Sequence, residues 1–106
     1  MKSELHTTKS FRKDYKKLSK SEIADTDVVI KKLLNNENLD VSYNDHDLHG
    51  NYDGYKECHV RPDLLLVYKR LETGELLVIT LYRISSHTNY GDKPLVYHFD
   101  LTGKFT

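Results

Sequence analysis

Residues 45–63 read DHDLHGNYDGYKECHVRPD, and the apolar run Leu64–Tyr68 follows directly. The first ten residues are polar, acidic and glycine-bearing, which predicts a loop. Tyr55–Val60 then predicts a strand, and Pro62 predicts a tight turn because its ring fixes φ near the bend. The residues after the turn are continuously apolar, so we expect Leu64–Arg70 to be a strand buried on both faces.

A third strand extends this predicted meander, and a further strand precedes it. Glu72–Glu75 has the composition of a turn, and Leu76–Ile84 has that of a strand. Upstream, Leu5–Thr8 predicts a short first strand. The polar segment Leu39–Gly54 predicts a long loop that holds two histidines, and loops carry function more often than cores do.

Two helices are predicted between the first strand and the loop. In the first helix, Phe11, Tyr15 and Leu18 recur at helical spacing behind an N-cap at Thr8 or Ser10, and basic residues cover the outer face.

The second helix is expected to begin at a capping box, in which Ser19 and Glu22 can satisfy each other's free amides. Asn35–Asn36 is a natural stop. Its apolar stripe comprises Ile23, Val29, Ile30, Leu33 and Leu34. The two helices are expected to form a hairpin that lies on the sheet.

The composition indicates one soluble domain. The chain has 106 residues, 38% hydrophobic and 30% charged, which is enough for a single modest core. No apolar stretch approaches the roughly 20 residues that span a bilayer. The first residues lack the apolar segment of a signal peptide, and a lone Cys58 fits a reducing compartment. We therefore expect a cytoplasmic protein with no membrane partner.

The charges are balanced in number but not in position. Sixteen basic and sixteen acidic residues give a formal net charge of zero. Residues 2–20 carry seven Lys or Arg against two acids, whereas residues 21–54 carry two against eight. A neutral total argues against general nucleic-acid affinity, because phosphate binding depends on the cations brought to the backbone. The basic face of the first helix fits either solvation or local RNA contact.

Three motifs occur in a fixed order along the chain. DH-x-L-x-G spans residues 45–50, H-V-x-P-D spans residues 59–63 before the apolar strand, and R-x3-H begins at Arg83. Together with Lys9–Asp14, these motifs resemble the YafQ branch of the RelE toxin superfamily, over roughly residues 1–88.

This resemblance implies an α+β fold of the RelE type, with two N-terminal helices packed on a twisted, mainly antiparallel sheet. It implies one toxin domain over residues 1–106, of which residues 89–106 are a C-terminal extension of uncertain role. Members of this branch are ribosome-dependent endoribonucleases that enter the A site and cut mRNA, so the ribosome and mRNA are expected partners. A cognate antitoxin holds them inactive, and operator DNA is expected only through the toxin-antitoxin complex. No cofactor is implied.

The resemblance also implies site residues. The catalytic positions fall on His46, His59, Asp63, Arg83 and His87. RNA contacts are expected from Lys9, Arg12, Lys13, Arg61 and Tyr90. Two positions depart from the family pattern: Gly91 stands where an aromatic residue is usual, and Leu64 where Trp is frequent.

Cleavage of RNA without a metal requires a base for the 2′-OH proton, cations to stabilise the phosphorane and an acid for the departing 5′-oxygen. Imidazoles suit the acid and base roles because their unperturbed pKa lies near 6.5, and a guanidinium can hold two phosphate oxygens. We assign His87 as general acid, Asp63 or His46 as general base or its orienting partner, His59 as a phosphate contact and Arg83 as charge stabiliser. The base and acid labels can be exchanged.

Several structural alternatives stay open. Asp63 can bond its own backbone in the turn, and Arg83 can simply pair with a carboxylate. The proximity of His46 and His49 suggests a metal site, but the loop spacing does not enforce three converging ligands, so no metal is expected. Cys58 is expected to be a small buried residue rather than a nucleophile.

The alternative function is that of a non-catalytic binding module. Such a module would be a relative of the gyrase poisons, or a decayed toxin that acts as co-repressor with its antitoxin.

Overall fold

The computed structural model describes residues 2–86. Its strands and helices, in chain order, are β1 (Lys2–Thr7), α1 (Lys9–Lys16), α2 (Lys20–Leu34), β2 (His46–Asp47), β3 (Lys56–Arg61), β4 (Leu64–Thr73) and β5 (Leu76–Ser86). Two short 3-10 helices, Val41–Tyr43 and Gly50–Tyr52, lie between α2 and β3. No helix in residues 2–86 is long and apolar enough to cross a membrane.

The five strands form one sheet in the order β1-β5-β4-β3-β2. β1 pairs with β5 in parallel, and the other three pairs are antiparallel. A parallel pair requires a crossover connection, and the helical hairpin of α1 and α2 begins the chain's path from β1 towards β5. The predicted fold, two helices on a mainly antiparallel sheet, is confirmed.

The helix boundaries follow from local hydrogen bonds. Thr8 is the N-cap of α1, and its hydroxyl accepts from the Phe11 amide at 3.0 Å. Ser19 and Glu22 form the complete capping box predicted for α2. The helix ends at Leu34, with Asn35 as its C-cap, and Asn36 adopts a φ of 58°, a conformation that asparagine tolerates better than most residues.

The core is divided by strand β4, whose first five residues are all buried. Leu64, Leu66 and Tyr68 pack in the larger cluster with buried residues of α1, α2, β3 and β5. Leu65 and Val67 belong to a smaller cluster with Tyr55. The first half of the strand is therefore buried on both faces, as predicted. Lys69 and Arg70, which begin its second half, are exposed.

A β-bulge interrupts the pairing of β3 with β4. His59 lies opposite Leu65, whereas Arg61 lies opposite Leu64, so one extra residue, Val60, is accommodated between them. A bulge bends the strand and redirects the side chains that follow it. Here it lets Arg61 reach Asp25 of α2, with 2.7 Å between Nε and Oδ2.

The main difference from the prediction lies in the segment Leu39–Gly54. This segment is not a continuous loop, because it contains both 3-10 helices and the short strand β2. His46 consequently belongs to the sheet, where it pairs with Glu57 of β3. The apolar segment Leu95–Phe99, whose sequence predicts a further strand or helix end, lies outside the described residues.

Candidate active site

His46 occupies the outermost strand of the sheet and has two polar neighbours. Its Nδ1 lies 2.7 Å from the backbone oxygen of Asn44. Its Nε2 lies 3.4 Å from a carboxylate oxygen of Glu57, whose side chain is only 13% exposed. The His46 side chain itself is 40% exposed. The ring is therefore held by two protein contacts and remains accessible to a ligand.

His59 lies on the neighbouring strand and is held at both ring nitrogens. Its Nε2 lies 3.4 Å from Nδ2 of Asn44, and its Nδ1 lies 3.3 Å from the backbone oxygen of Pro62. Asn44 therefore contacts both histidines, one through its backbone and one through its side chain. The turn that carries Asp63 also contacts His59, and Asp63 itself is exposed beside it.

Arg83 lies on β5 and is engaged with a carboxylate of α1. Nε and Nη2 of Arg83 donate to Oδ2 and Oδ1 of Asp14 at 2.5 and 2.9 Å. The Ile84 amide donates to the same Oδ2 at 3.2 Å. Both side chains of the pair are only 12% exposed. The structural alternative for Arg83, a carboxylate partner, is thus present in the molecule.

The sheet register relates Arg83 to the two histidines. Glu57, the partner of His46, lies opposite Val67, and Val67 lies opposite Arg83. Neighbouring strands are about 4.8 Å apart, so the backbone of Arg83 lies roughly 10 Å from that of Glu57 and about 14 Å from that of His46. The two segments bearing the predicted catalytic residues therefore belong to one continuous part of the sheet.

The predicted RNA-binding residues divide into two groups. Lys9, Arg12 and Lys13 are exposed on α1, and the Arg12 guanidinium donates to the backbone and hydroxyl oxygens of Thr7 at 2.8 Å. Arg61 is instead paired with Asp25. His87 and Tyr90 lie outside the described residues, although His87 directly follows the last residue of β5.

Asp45, next to His46, contacts a different part of the protein. The hydroxyl of buried Tyr68 donates to Oδ1 of Asp45 at 2.5 Å, and Nζ of Lys56 lies 3.7 Å from its other oxygen. Burial and this hydrogen bond raise the pKa of Tyr68. Lys56 also donates to Asp47 at 2.9 Å, which lowers the pKa of that carboxyl. The contacts of Asp45 with Tyr68 and Lys56 thus connect the start of β2 to the core, while the His46 side chain stays partly exposed.

Cys58 and His49 take no part in this cluster. Cys58 is completely buried in the larger core cluster, and burial raises the pKa of its thiol. His49 is an exposed residue at the start of a 3-10 helix and makes no side-chain capping bond there. Within residues 2–86, no three His, Cys, Asp or Glu side chains are grouped so that they could hold a metal ion.

Sequence reasoning missed three residues that hold the site: Asp14, Asn44 and Glu57. Asp14 could have been noticed as the only acid in the basic first helix, since a single carboxylate among basic residues suggests a specific partner. Asn44 had the signal of a residue type that tolerates positive φ, two positions before a candidate histidine. Glu57 had no local signal, because its role depends on pairing with β2.

The chain was compared with known families and proteins. Residues 3–91 match the family model for the bacterial toxin of type II toxin-antitoxin systems, YafQ. The mRNA interferase toxin YafQ of Escherichia coli is 47% identical over 38 residues, which are 35% of this chain and 41% of that protein. The aligned segments span about half the length of the curated relatives that the chain matches, 55% and 41%.

Solved structures are similar over nearly their whole length. YafQ in the E. coli DinJ-YafQ toxin-antitoxin complex is 29% identical with a TM-score of 0.67, covering 86% of this chain and 99% of that one. A copper-bound mutant toxin from Helicobacter pylori is 34% identical with a TM-score of 0.63, covering 81% and 96%. The fold, the order of the motifs and the family match agree, and the chain belongs to the YafQ family of bacterial type II toxin-antitoxin toxins.

Proposed function

We propose that this toxin is a ribosome-dependent endoribonuclease that cuts mRNA in the A site. The observation that carries the proposal is the convergence of His46 and His59 on Asn44 at an open part of the sheet. Two neighbouring imidazoles supply the proton transfers that RNA cleavage requires near neutral pH. The name of the E. coli relative, an mRNA interferase, supports the same activity.

In the proposed reaction, a base takes the proton of a 2′-OH, the 2′-oxygen attacks the adjacent phosphorus, and the bond from phosphorus to the 5′-oxygen breaks. An acid gives its proton to that departing 5′-oxygen. Asp63 or His46 is proposed to take this first proton or to orient the base, and His59 is proposed to contact the phosphate. His87 is proposed as the acid, as the resemblance implies, because it follows Arg83 by four residues in the sequence.

Arg83 is proposed to stabilise the charge of the phosphorane. Its hydrogen bonds to Asp14 fix the orientation of the guanidinium before substrate arrives, and a preorganised cation needs no rearrangement during the reaction. The exposed cations of α1, Lys9, Arg12 and Lys13, are proposed to contact RNA phosphates. No metal is assigned to the reaction.

We propose a cognate antitoxin as the protein partner, and operator DNA only through that complex. The support is the family itself and the solved complex of the E. coli relative with DinJ. The cytoplasm, where ribosomes and mRNA meet, is the proposed location.

Cleavage mapping on translating ribosomes tests the proposal. A defined mRNA is translated in a purified system with the wild type, His46→Ala, His59→Ala, Arg83→Ala or His87→Ala, and cuts are mapped by primer extension. Loss of one acid-base group should lower cleavage by about 100-fold or more. His49→Ala, in the same segment, is the matched control and should cut normally. Undiminished cutting by both His46→Ala and His59→Ala would contradict the proposal.

A second candidate function is the non-catalytic binding module, and the Asp14 contact of Arg83 is the observation that favours it. If Arg83 serves only a structural ion pair with Asp14, it has no role in binding RNA. Induction of the protein in cells separates the two functions: the endoribonuclease produces cut mRNA, whereas a gyrase poison produces DNA breaks. A co-repressor without activity produces neither.

A further inference from the structure

Asn44 is the residue through which the two histidines are connected. It has φ 47° and ψ 49°, in the left-handed region, and its backbone N–H donates to the backbone oxygen of Val41 at the end of a 3-10 helix. This turn directs its backbone oxygen at Nδ1 of His46, 2.7 Å away, and its side-chain amide at Nε2 of His59, 3.4 Å away. Asparagine is one of the few residues besides glycine that visits this conformation routinely.

The partners of His59 determine which of its nitrogens carries the proton. The backbone oxygen of Pro62 can only accept, so Nδ1 of His59 must donate to it. In the neutral ring, Nε2 then has a lone pair, and the Nδ2–H of Asn44 donates to that lone pair. The hydrogen bond at one nitrogen of an imidazole sets the state of the other.

His46 is also held at both ring nitrogens. Its Nδ1–H donates to the backbone oxygen of Asn44, and its Nε2 faces the carboxylate of Glu57 at 3.4 Å. The Nε2 atoms of the two rings therefore face different partners, a carboxylate for His46 and the side-chain amide of Asn44 for His59.

We infer that Asn44 is a positioning residue that fixes the orientation of both histidine rings. Its side-chain amide holds Nε2 of His59, and its backbone oxygen holds Nδ1 of His46. The catalytic consequence rests on the proposed endoribonuclease function: both imidazoles are held in fixed orientations before RNA binds. The positioning itself does not depend on that function.

Two substitutions of Asn44 separate the role of its side chain from that of its backbone, and a third variant serves as control. Asn44→Gly removes the amide but retains the positive φ and the backbone oxygen, so only His59 loses a contact. Asn44→Asp replaces a donor with an acceptor, which favours a proton on Nε2 of His59. His49→Ala is the matched control, because it removes an exposed imidazole from the same segment.

The test uses nitrogen-15 NMR of the histidine rings in the full-length chain near pH 7, with thermal melts to verify folding. Wild-type His59 should show a proton on Nδ1 and none on Nε2. In Asn44→Gly the Nε2 resonance of His59 should move while His46 keeps its signals, and in Asn44→Asp Nε2 should become protonated. Cleavage should fall about tenfold in Asn44→Gly, the equivalent of one hydrogen bond of roughly 1.4 kcal/mol.

Two results would overturn the positioning role: a proton on Nε2 of wild-type His59, or unchanged His59 resonances in Asn44→Gly. Failure of the proposed function looks different. In that case the spectra behave as expected, which supports the positioning role, but no variant, including the wild type, cuts mRNA.

Discussion

Asp14 and Arg83 form a two-point ion pair between α1 and β5, although they lie 69 residues apart in the chain. The carboxylate binds Nε and Nη2 of the guanidinium and also accepts the amide of Ile84. One carboxylate thereby fixes both the backbone of the last described strand and the cation proposed for the active site.

Removal of either partner of this pair should destabilise the fold. Asp14→Ala leaves the Arg83 charge without its carboxylate in a site that is only 12% exposed, which should cost about 3 kcal/mol of unfolding free energy. Urea denaturation measures this loss. The matched control is Asp25→Ala, whose pair with Arg61 is 51% and 33% exposed and should contribute less than about 1 kcal/mol. Equal losses in the two variants would mean that burial does not set the strength of the first pair.

The two aspartates that flank His46 should differ in their effect on stability. Asp45→Ala deprives the buried Tyr68 hydroxyl of its acceptor, at a cost of about 1–3 kcal/mol. Asp47→Ala removes only a contact between Lys56 and a carboxylate that is 71% exposed, and should change stability much less than Asp45→Ala does. Thermal melts compare the two, and Tyr68→Phe checks the assignment, because it should make Asp45→Ala less harmful.

The capping box of α2 should depend on pH. The Ser19 amide donates to Glu22 at 2.8 Å, and this hydrogen bond lowers the pKa of Glu22 below its ordinary value of 4.5. A lowered pKa in the folded state contributes stability above the unfolded pKa, and this stability is lost as the pH falls through the folded value. Glu22→Gln should therefore be less stable than the wild type at pH 7, and the difference should vanish in acid.

Urea titrations from pH 7 to pH 3 follow this difference. Glu37→Gln, which removes an exposed carboxylate 3.8 Å from Lys32, serves as control and should show little change at either pH. A difference for Glu22→Gln that grows as the pH falls would show that the sign of the linkage is wrong.

The Cys58 thiol should be unreactive in the folded protein. It is completely buried, burial raises its pKa, and only the thiolate attacks a disulfide reagent. Labelling with an aromatic disulfide at pH 8 should be slow in buffer and rapid in urea. In Leu66→Ala, which is destabilised by about 2–5 kcal/mol, labelling should be faster in proportion to the unfolded population. Rapid stoichiometric labelling of the native wild type would place the thiol at the surface.

Features with a local cause were predictable from the sequence. The capping box at Ser19 and Glu22 depends on four consecutive residues. The continuous apolar character of Leu64–Tyr68 likewise indicates that this segment is buried on both faces of the sheet. The contacts of Asp14 with Arg83 and of His46 with Glu57 were not predictable in this way. Each depends on which strands become neighbours, and no periodicity in the sequence encodes that order. The sequence thus predicted candidate site residues, whereas the residues that hold them, such as Asp14 and Glu57, were identified only from the arrangement of the strands.

The parallel pairing of β1 with β5 constrains how the chain can fold during its synthesis. The first strand leaves the ribosome about 70 residues before the strand that it pairs with, and synthesis at roughly 5–20 residues per second makes that interval several seconds. During this time β1 has an apolar side chain, Leu5, and a full set of unpaired backbone groups, but no neighbour in the sheet. Non-local pairing of this kind is also slow to form, so the sheet cannot be completed until β5 is made, and β1 stays unpaired for a time that depends on translation speed.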